Sequence, residues 1–278
     1  MIKKYKLVNQ SENGLWQIQA LIDIPEIAVK VGDLGGWISG EYNLSHEGTC
    51  WVSGFARISG SAQVFESAQI FESAKVSGST QVSGFAKVSG FADISGSAWV
   101  SGFAQVSGFT RISGSARVSE SAQIFGSARV SGFAWVSGFA RVSEFAHVSG
   151  SARVSGSAQV FESAQVFESA RVSGSAQVSG FAWVYGFARV SGSAQVFDYA
   201  RISADTEVTC KPVNSINLFQ FNYTQYNEWI QIGCKLHNIK EWKKIIKNGI
   251  YRNYYNNKKI YLHDIELLDI LIKQLENE

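Results

Sequence analysis

The sequence has few of the residues that mark a secreted, membrane-bound or highly charged protein. Its three cysteines, Cys50, Cys210 and Cys234, are an odd and sparse set. They are typical of reduced intracellular thiols rather than of a disulfide framework. No apolar segment follows Lys3 and Lys4, so we expect no signal peptide, and no apolar run reaches transmembrane length. The formal net charge is only +2, unlike that of a bulk nucleic-acid binder. We therefore expect a cytoplasmic protein without a membrane partner.

Proline is also scarce, whereas serine, glycine, alanine and valine are abundant, because most of the chain is one repeat. Every sixth residue from Val52 to Val208 is Val or Ile, at 27 positions without insertion or deletion. The residue two positions earlier is almost always Ala. The six-residue unit reads Ala-x-Val-Ser-Gly-Ser or Ala-x-Val-Ser-Gly-Phe, where x is usually Gln, Arg or Lys.

The spacing within the unit predicts a parallel β-helix. Ala and Val are two residues apart and share one side of a short strand, while x points to the other side. The Ser-Gly-Ser/Phe segment predicts a turn, because glycine readily adopts a positive φ. Three strands and three turns close a coil of 18 residues, and nine coils stacked ~4.8 Å apart give a rod of roughly 43 Å. Each coil buries its apolar side only against its neighbours, so the array needs caps at its ends.

The unit resembles the hexapeptide repeat of left-handed parallel β-helices, the LpxA-like group, as in residues 154–159 (Val-Ser-Gly-Ser-Ala-Gln). The flanks resemble those of the YdcK-type phage and prophage hexapeptide-repeat proteins. The matching segments are residues 32–38 (Gly-Asp-Leu-Gly-Gly-Trp-Ile), 43–48 (Asn-Leu-Ser-His-Glu-Gly), 232–237 (Ile-Gly-Cys-Lys-Leu-His) and 241–242 (Glu-Trp). The resemblance implies left-handed coils, a homo-oligomer (trimer or dimer), and a phage or prophage origin, with the host cytoplasm as the compartment if the chain is phage-encoded.

The predicted fold is all-β, a single-stranded left-handed parallel β-helix of about nine 18-residue coils between two small caps. Residues 1–49 form an N-terminal β cap with a hairpin of residues 5–8 and 16–22. Residues 50–208 form the β-helix. Residues 209–278 form an α+β cap with strands at 216–223 and 228–233 and two helices. The first helix runs from Asn238, with Glu241 in a capping box, to about Lys247, and the second spans 264–275.

Catalytic and metal-binding residues are hard to find in this pattern. The resemblance implies acyltransferases that place a histidine on a loop breaking the repeat, but here the repeat is unbroken. His147, in an x position, is only a weak catalytic candidate, and we assign no catalytic residue. Cys234 and His237 form a lone Cys-x-x-His pair that does not complete a zinc site, so we predict no metal and no cofactor.

Outward residues 18 positions apart should stack into three columns. The first is mostly glutamine and could hydrogen-bond along the rod: Trp51, Gln69, Lys87, Gln105, Gln123, Arg141, Gln159, Gln177 and Gln195. The second is Gln63, Gln81, Trp99, Arg117, Trp135, Arg153, Arg171, Arg189 and Glu207. The third is Arg57, Lys75, Asp93, Arg111, Arg129, His147, Gln165, Trp183 and Arg201.

The second column is the candidate binding surface, through Trp99, Arg117, Trp135, Arg153, Arg171 and Arg189. Consecutive arginines repel each other unless an anion is near. One interpretation is a solvated face in which these arginines pair with Glu162, Glu168 and similar residues. The other is a stripe for a polyanion or an acidic protein, with the tryptophans as stacking anchors.

One corner carries an aromatic residue in every coil, alternating between two positions of the turn: Phe55, Phe71, Phe91, Phe109, Phe125, Phe145, Phe161, Phe181 and Phe197. Two interpretations stay open. The rings form a structural stack that seals the corner, or they form the seam of an oligomer.

The leading functional hypothesis is a non-enzymatic, rigid scaffold or binding protein that forms homo-oligomers. We predict no small-molecule substrate. The alternatives are a trimeric acyltransferase-like enzyme with a site between subunits, and a module that binds polyanions or acidic proteins through its Arg and Trp faces.

Overall fold

The fold is described from a computed structural model. It describes residues 2–197, 200–203 and 207–208 in full. It also gives the backbone of five strands between positions 212 and 238, together with Lys240 and Lys244. The predicted second helix lies outside the described residues, as do Cys234 of the Cys-x-x-His pair and most of the predicted first helix.

Residues 51–208 form a parallel β-solenoid of about nine coils, which confirms the predicted all-β fold. Each coil contributes one two-residue strand to each of three parallel sheets, and the Cα register steps by 18 residues from one strand to the next. Handedness stays a prediction from the family resemblance.

The three sheets correspond to the three predicted columns. The sheet that we call the glutamine face consists of Trp51–Val52, Gln69–Ile70, Lys87–Val88, Gln105–Val106, Gln123–Ile124, Arg141–Val142, Gln159–Val160, Gln177–Val178, Gln195–Val196 and Pro212–Val213. The arginine face consists of Gln63–Val64, Gln81–Val82, Trp99–Val100, Arg117–Val118, Trp135–Val136, Arg153–Val154, Arg171–Val172, Arg189–Val190 and Glu207–Val208. The mixed face consists of Arg57–Ile58, Lys75–Val76, Asp93–Ile94, Arg111–Ile112, Arg129–Val130, His147–Val148, Gln165–Val166, Trp183–Val184 and Arg201–Ile202, and it continues into three strands of the N-terminal cap.

The core is the predicted set of Val, Ile and Ala columns. These residues are fully or almost fully buried from one end of the solenoid to the other. Thr80 and Thr110 occupy alanine positions and are also buried; the Thr80 hydroxyl donates to the Ser77 carbonyl oxygen at 2.7 Å. Small side chains at the Ala position allow three sheets to enclose so narrow an interior.

Every coil donates its backbone hydrogen bonds in the same direction. Trp51 N–H donates to the Ala68 carbonyl, Ser53 N–H to that of Ile70, and the pattern repeats through the rod. Consequently the first coil is left with carbonyl groups that no preceding coil can reach. Buried carbonyls without a donor cost free energy, so the N-terminal cap must supply donors.

The cap supplies those donors from its backbone and from side chains. It consists of the strands Tyr5–Gln10, Trp16–Ala20 and Leu34–Ile38 and the 3-10 helices Pro25–Ile27 and Glu41–Asn43. The buried Asn43 amide donates to the carbonyls of Gly60 at 3.0 Å and Ala62 at 2.7 Å. The buried Lys4 ammonium donates to the Gly48 carbonyl at 3.2 Å and lies 3.1 Å from Cys50 Sγ. These contacts close the end of the solenoid.

The turns at the corners place one residue of each in a left-handed conformation. Glycine usually holds this position, with φ near +70° at Gly78 and Gly96. Glutamate holds it six times, with φ between 56° and 59°: Glu66, Glu72, Glu120, Glu144, Glu162 and Glu168. In four of these turns a Phe precedes the Glu, and the carboxylate accepts the N–H of the glycine one coil further on. The pairs are Glu66 with Gly84, Glu72 with Gly90, Glu162 with Gly180, and Glu168 with Gly186.

The chain after the solenoid forms a four-stranded antiparallel sheet of Ser215–Asn217, Asn222–Tyr226, Trp229–Ile232 and Lys235–Asn238. The single strand predicted for 216–223 was wrong, because that segment contains parts of two strands that pair with each other, with Ile216 opposite Tyr223. Apolar and polar residues alternate over 216–218 and again over 219–223, and the adjacent apolar pair Leu218 and Phe219 is the one break in that pattern.

Candidate functional site

Each face of the rod displays three outward positions per coil. The x residue lies in the middle, the last residue of the preceding turn lies on one side, and the first residue of the following turn lies on the other. One groove on the arginine face is lined by x residues and by the last residues of the preceding turns. Its lining is Ser151, Arg153, Ser169, Arg171, Phe187 and Arg189. The serine hydroxyls and the Phe187 ring therefore share a surface with the arginines.

The arginine face brings together the candidate binding residues in the predicted order. Trp99, Arg117, Trp135, Arg153, Arg171 and Arg189 are successive neighbours in the parallel register. All six are exposed. The order of these residues along the column could thus be predicted from the sequence, whereas the contacts that their side chains make could not.

The two tryptophans hold arginines rather than standing free. The Arg117 guanidinium carbon lies 5.8 Å from the Trp99 ring centroid and 6.0 Å from that of Trp135, and the Arg153 carbon lies 5.6 Å from Trp135. These distances are within the range of cation–π attraction. Trp135 Nε1 also donates to the Ser119 hydroxyl at 3.4 Å. The two tryptophan rings orient Arg117 and Arg153, and the N–H donors of these arginines remain available to a ligand.

No carboxylate among the described residues pairs with these arginines. In that part of the chain Glu41 forms an ion pair with Lys3 at 2.8 Å and lies 4.0 Å from His46 Nε2, which is charged only when protonated. Glu162 and Glu168, the expected partners, instead accept backbone N–H groups at their corners. Glu207 follows Arg189 in register but lies beyond 4.0 Å of it. The interpretation of a face neutralised by its own glutamates was therefore wrong, because those carboxylates serve the turns.

Charge is segregated around the rod in a way that the net charge of +2 conceals. All the arginines and lysines of the solenoid occupy x positions on the faces, whereas six glutamates occupy the turns. The arginine face holds four arginines and one terminal Glu207. A low net charge therefore does not exclude an anion-binding surface on one side.

Two exposed aromatic rings on the arginine face were missed from the sequence. Phe133 is 73% exposed and precedes Trp135 by two residues, and Phe187 is 67% exposed and precedes Arg189 by two. A two-residue offset across the end of a turn puts both rings on the outward side of this face. The two-residue offset from Trp135 and Arg189 was the signal in the sequence that predicts this position for Phe133 and Phe187.

The glutamine face does not form the expected ladder of amides. No hydrogen bond joins the x-position glutamines of this face to one another within the described residues. A groove of about 590 Å³ lies where the face meets the cap, between Gln69, Lys87 and Gln105 and the rings of Phe85 and Phe103. Those two rings stack with centroids 5.1 Å apart.

The aromatic corner, which we call the aromatic edge, points outward. Its rings in the last position of the turn are 55–75% exposed: Phe55, Phe91, Phe109, Phe145 and Phe181. The rings in the first position are less exposed: Phe71, Phe125, Phe161 and Phe197. Phe91 and Phe109 stack at 5.0 Å, the one ring pair found among the nine. A continuous stack that seals the corner is therefore not formed, because the rings alternate between two positions.

His147 lies on the mixed face between Arg129 and Gln165, as its x position predicts. Partial burial and the nearby Arg129 charge lower its pKa. No described side chain hydrogen-bonds to it, so nothing there orients the imidazole as a general base would require.

The densest group of titratable side chains lies in the N-terminal cap. His46 Nδ1 accepts the Lys4 backbone N–H at 3.2 Å, and its ring stacks on Tyr5 at 4.3 Å. Burial lowers the His46 pKa and raises those of Tyr5 and Cys50. These shifts favour the neutral forms, which fits a structural closure of the rod.

Within the described residues, no three His, Cys, Asp or Glu side chains are grouped closely enough to hold a metal ion. In the same part of the chain no helix has the length and apolar character to cross a membrane. Comparison with protein-family models and with curated proteins gives no match. The resemblance to LpxA-like and YdcK-type proteins therefore stays a prediction.

Proposed function

We propose that the protein is a non-enzymatic, rigid rod that associates with further copies of itself along the aromatic edge. The exposure of this edge is the observation that carries the proposal. Five phenylalanine rings stand 55–75% exposed on one corner, at Phe55, Phe91, Phe109, Phe145 and Phe181. The less exposed rings of Phe71, Phe125, Phe161 and Phe197 lie between them and make the corner apolar in every coil.

The exposed area is suitable for a specific interface. At about 200 Å² per ring, the five rings expose on the order of 600 Å². A patch of this size is at the upper limit for the surface of a monomeric protein. Two such edges in contact would bury roughly 1,200 Å², the lower end of stable protein interfaces.

The regularity of the rod supports a scaffold rather than an enzyme. All corners of residues 53–195 have the same length, so no loop rises to form a cleft. Backbone hydrogen bonds join each coil to the next, which makes the displayed columns a fixed lattice. A rod of this kind positions partners through geometry alone.

The oligomeric state tests the proposal. We would measure the mass of the full chain by light scattering and sedimentation at micromolar concentration. The triple variant Phe91→Ser, Phe109→Ser and Phe145→Ser removes exposed rings, and serine is the other residue that the repeat uses there. We expect an oligomer for the native chain and a monomer for the variant.

The control changes the same turn position on another corner: Phe85→Ser, Phe103→Ser and Phe139→Ser, which are also exposed rings. We expect this variant to remain oligomeric. A monomeric native chain, or equal dissociation of both variants, would overturn the self-association. Acyl-CoA turnover that is lost on His147→Gln would overturn the non-enzymatic assignment.

A further inference from the structure

We infer that the arginine face binds single-stranded nucleic acid, with its arginines on the phosphates and exposed phenylalanine rings against the bases. The inference does not depend on self-association, because the aromatic edge is the corner opposite this face. It rests on cations without a carboxylate partner, hydroxyl groups and exposed aromatic rings on one face of the rod.

The cations are suited to phosphate, and no described carboxylate neutralises them. Arg153, Arg171 and Arg189 follow each other on consecutive coils ~4.8 Å apart, so they repel each other in the free protein. No described carboxylate lies within 4.0 Å of them. A guanidinium offers two parallel N–H donors to a phosphate, which makes arginine the preferred residue for this group. A phosphate chain would relieve the repulsion.

Hydroxyl groups border the same groove. Ser151 and Ser169 line it beside the arginines, and the groove has a volume of about 220 Å³. Serine hydroxyls commonly donate to phosphate and sugar oxygens. The groove is lined by equivalent residues of three consecutive coils, which fits a linear strand better than a compact ligand.

Aromatic rings favour nucleic acid over other polyanions. Proteins that bind single strands combine a cationic track with rings on which bases stack. Phe187 lies in the arginine groove and Phe133 lies beside Trp135, and neither ring stacks on another described ring. An acidic peptide would gain little from these rings. Trp99 and Trp135 instead orient Arg117 and Arg153.

The other two faces lack this combination. Asp93 separates Lys75 from Arg111 on the mixed face, which interrupts its positive column. On the glutamine face Lys87 and Arg141 are separated by two glutamines. On the arginine face Glu207 lies at one end of the column, and Glu168 at the bordering corner is held by the Gly186 N–H at 2.8 Å. Arg153, Arg171 and Arg189 are therefore the longest run of consecutive cations on any of the three faces.

The test is fluorescence anisotropy of a fluorescein-labelled oligo-dT 20-mer with the full chain, in a salt series from 50 to 200 mM. Four phosphate contacts predict a slope of log K against log salt of about −2.8 for a single strand. The variant Arg153→Gln, Arg171→Gln and Arg189→Gln should bind at least tenfold more weakly at 50 mM salt, with a slope of about −0.7. Glutamine is native at many x positions, so the fold should persist.

The matched control is Arg57→Gln, Arg111→Gln and Arg129→Gln on the mixed face, which changes the net charge equally. It should keep the affinity of the native chain within about twofold. Phe133→Ser with Phe187→Ser should weaken binding without changing the salt slope. Absence of binding at 50 mM salt, or equal losses for both arginine variants, would overturn the inference. Equal displacement of the oligonucleotide by poly-L-glutamate or heparin would overturn the assignment to nucleic acid.

Discussion

The N-terminal cap and the coils satisfy the same kind of carbonyl group by different means. Inside the rod, a carbonyl accepts a backbone N–H from the coil before it, and any sequence with the right repeat provides that donor. At the first coil, the Asn43 amide acts as a donor alongside backbone N–H groups such as that of Ser45, and the Lys4 ammonium satisfies the Gly48 carbonyl just before that coil. The coils therefore tolerate many substitutions, whereas the cap depends on a few individual side chains.

The largest expected effect is in the cap. Asn43→Asp keeps the shape of the side chain but removes both donors to the Gly60 and Ala62 carbonyls. Each buried carbonyl left without a donor costs about 1–3 kcal/mol, so we expect a loss of about 3 kcal/mol in the free energy of unfolding. Denaturant titration would measure it. Asn9→Asp, where the amide bonds to Gln17 at the exposed surface, should cost less than about 0.5 kcal/mol. Similar losses at both sites would refute the special role of Asn43.

An intermediate effect is expected at the corners of the coils. In Gly78→Ala the backbone keeps φ near +69°, and the new Cβ would lie 2.5 Å from the Gly96 carbonyl oxygen of the next coil. Gly14, in the hairpin of the cap, has φ near +76° but open space around the same position. The left-handed conformation costs about 1–2 kcal/mol in either alanine variant. Gly78→Ala should therefore lower the melting temperature clearly more than Gly14→Ala. Equal shifts would mean that neighbouring coils separate readily.

The smallest effect is a dependence on pH. Burial lowers the pKa of His46 below its unfolded value, so the unfolded chain binds a proton more readily. Stability should be complete above about pH 6.5 and should fall as the pH drops below that value. His46→Gln should reduce this acid slope in thermal melts. His147→Gln should reduce it less, because no described group hydrogen-bonds to its imidazole, whereas His46 Nδ1 accepts the Lys4 N–H. The opposite ranking would place the acid-sensitive contact on the rod.

The periodic part of the fold could be predicted from the sequence because one spacing determines it. The Val and Ala columns, the 18-residue register and the outward position of His147 follow from a period of two within each strand. The closure by Lys4 and Asn43 could not be predicted, since it depends on single contacts between residues far apart in the chain.

The candidate site shows the same division. The order of arginines and tryptophans along the column could be predicted from the sequence. The hydrogen-bond partners of Glu162 and Glu168 could not. Both glutamates are close to the arginines in sequence, and their side chains are long enough to reach in several directions. Their position in a left-handed turn directs each carboxylate along the corner, toward the glycine of the next coil. Proximity in sequence therefore gave the wrong partner.

The three-sheet cross-section also limits how such a gene can change in length. Deleting or duplicating 18 residues removes or adds one whole layer, and every later side chain keeps its face. A change of six residues keeps the core pattern, because each unit still contributes one Ala and one Val, yet it moves every later residue to the adjacent face. Such an event before Arg171 would place Arg171 and Arg189 in a different column. The gain or loss of a single six-residue unit therefore changes which side chains lie beside each other over the whole remaining length of the rod.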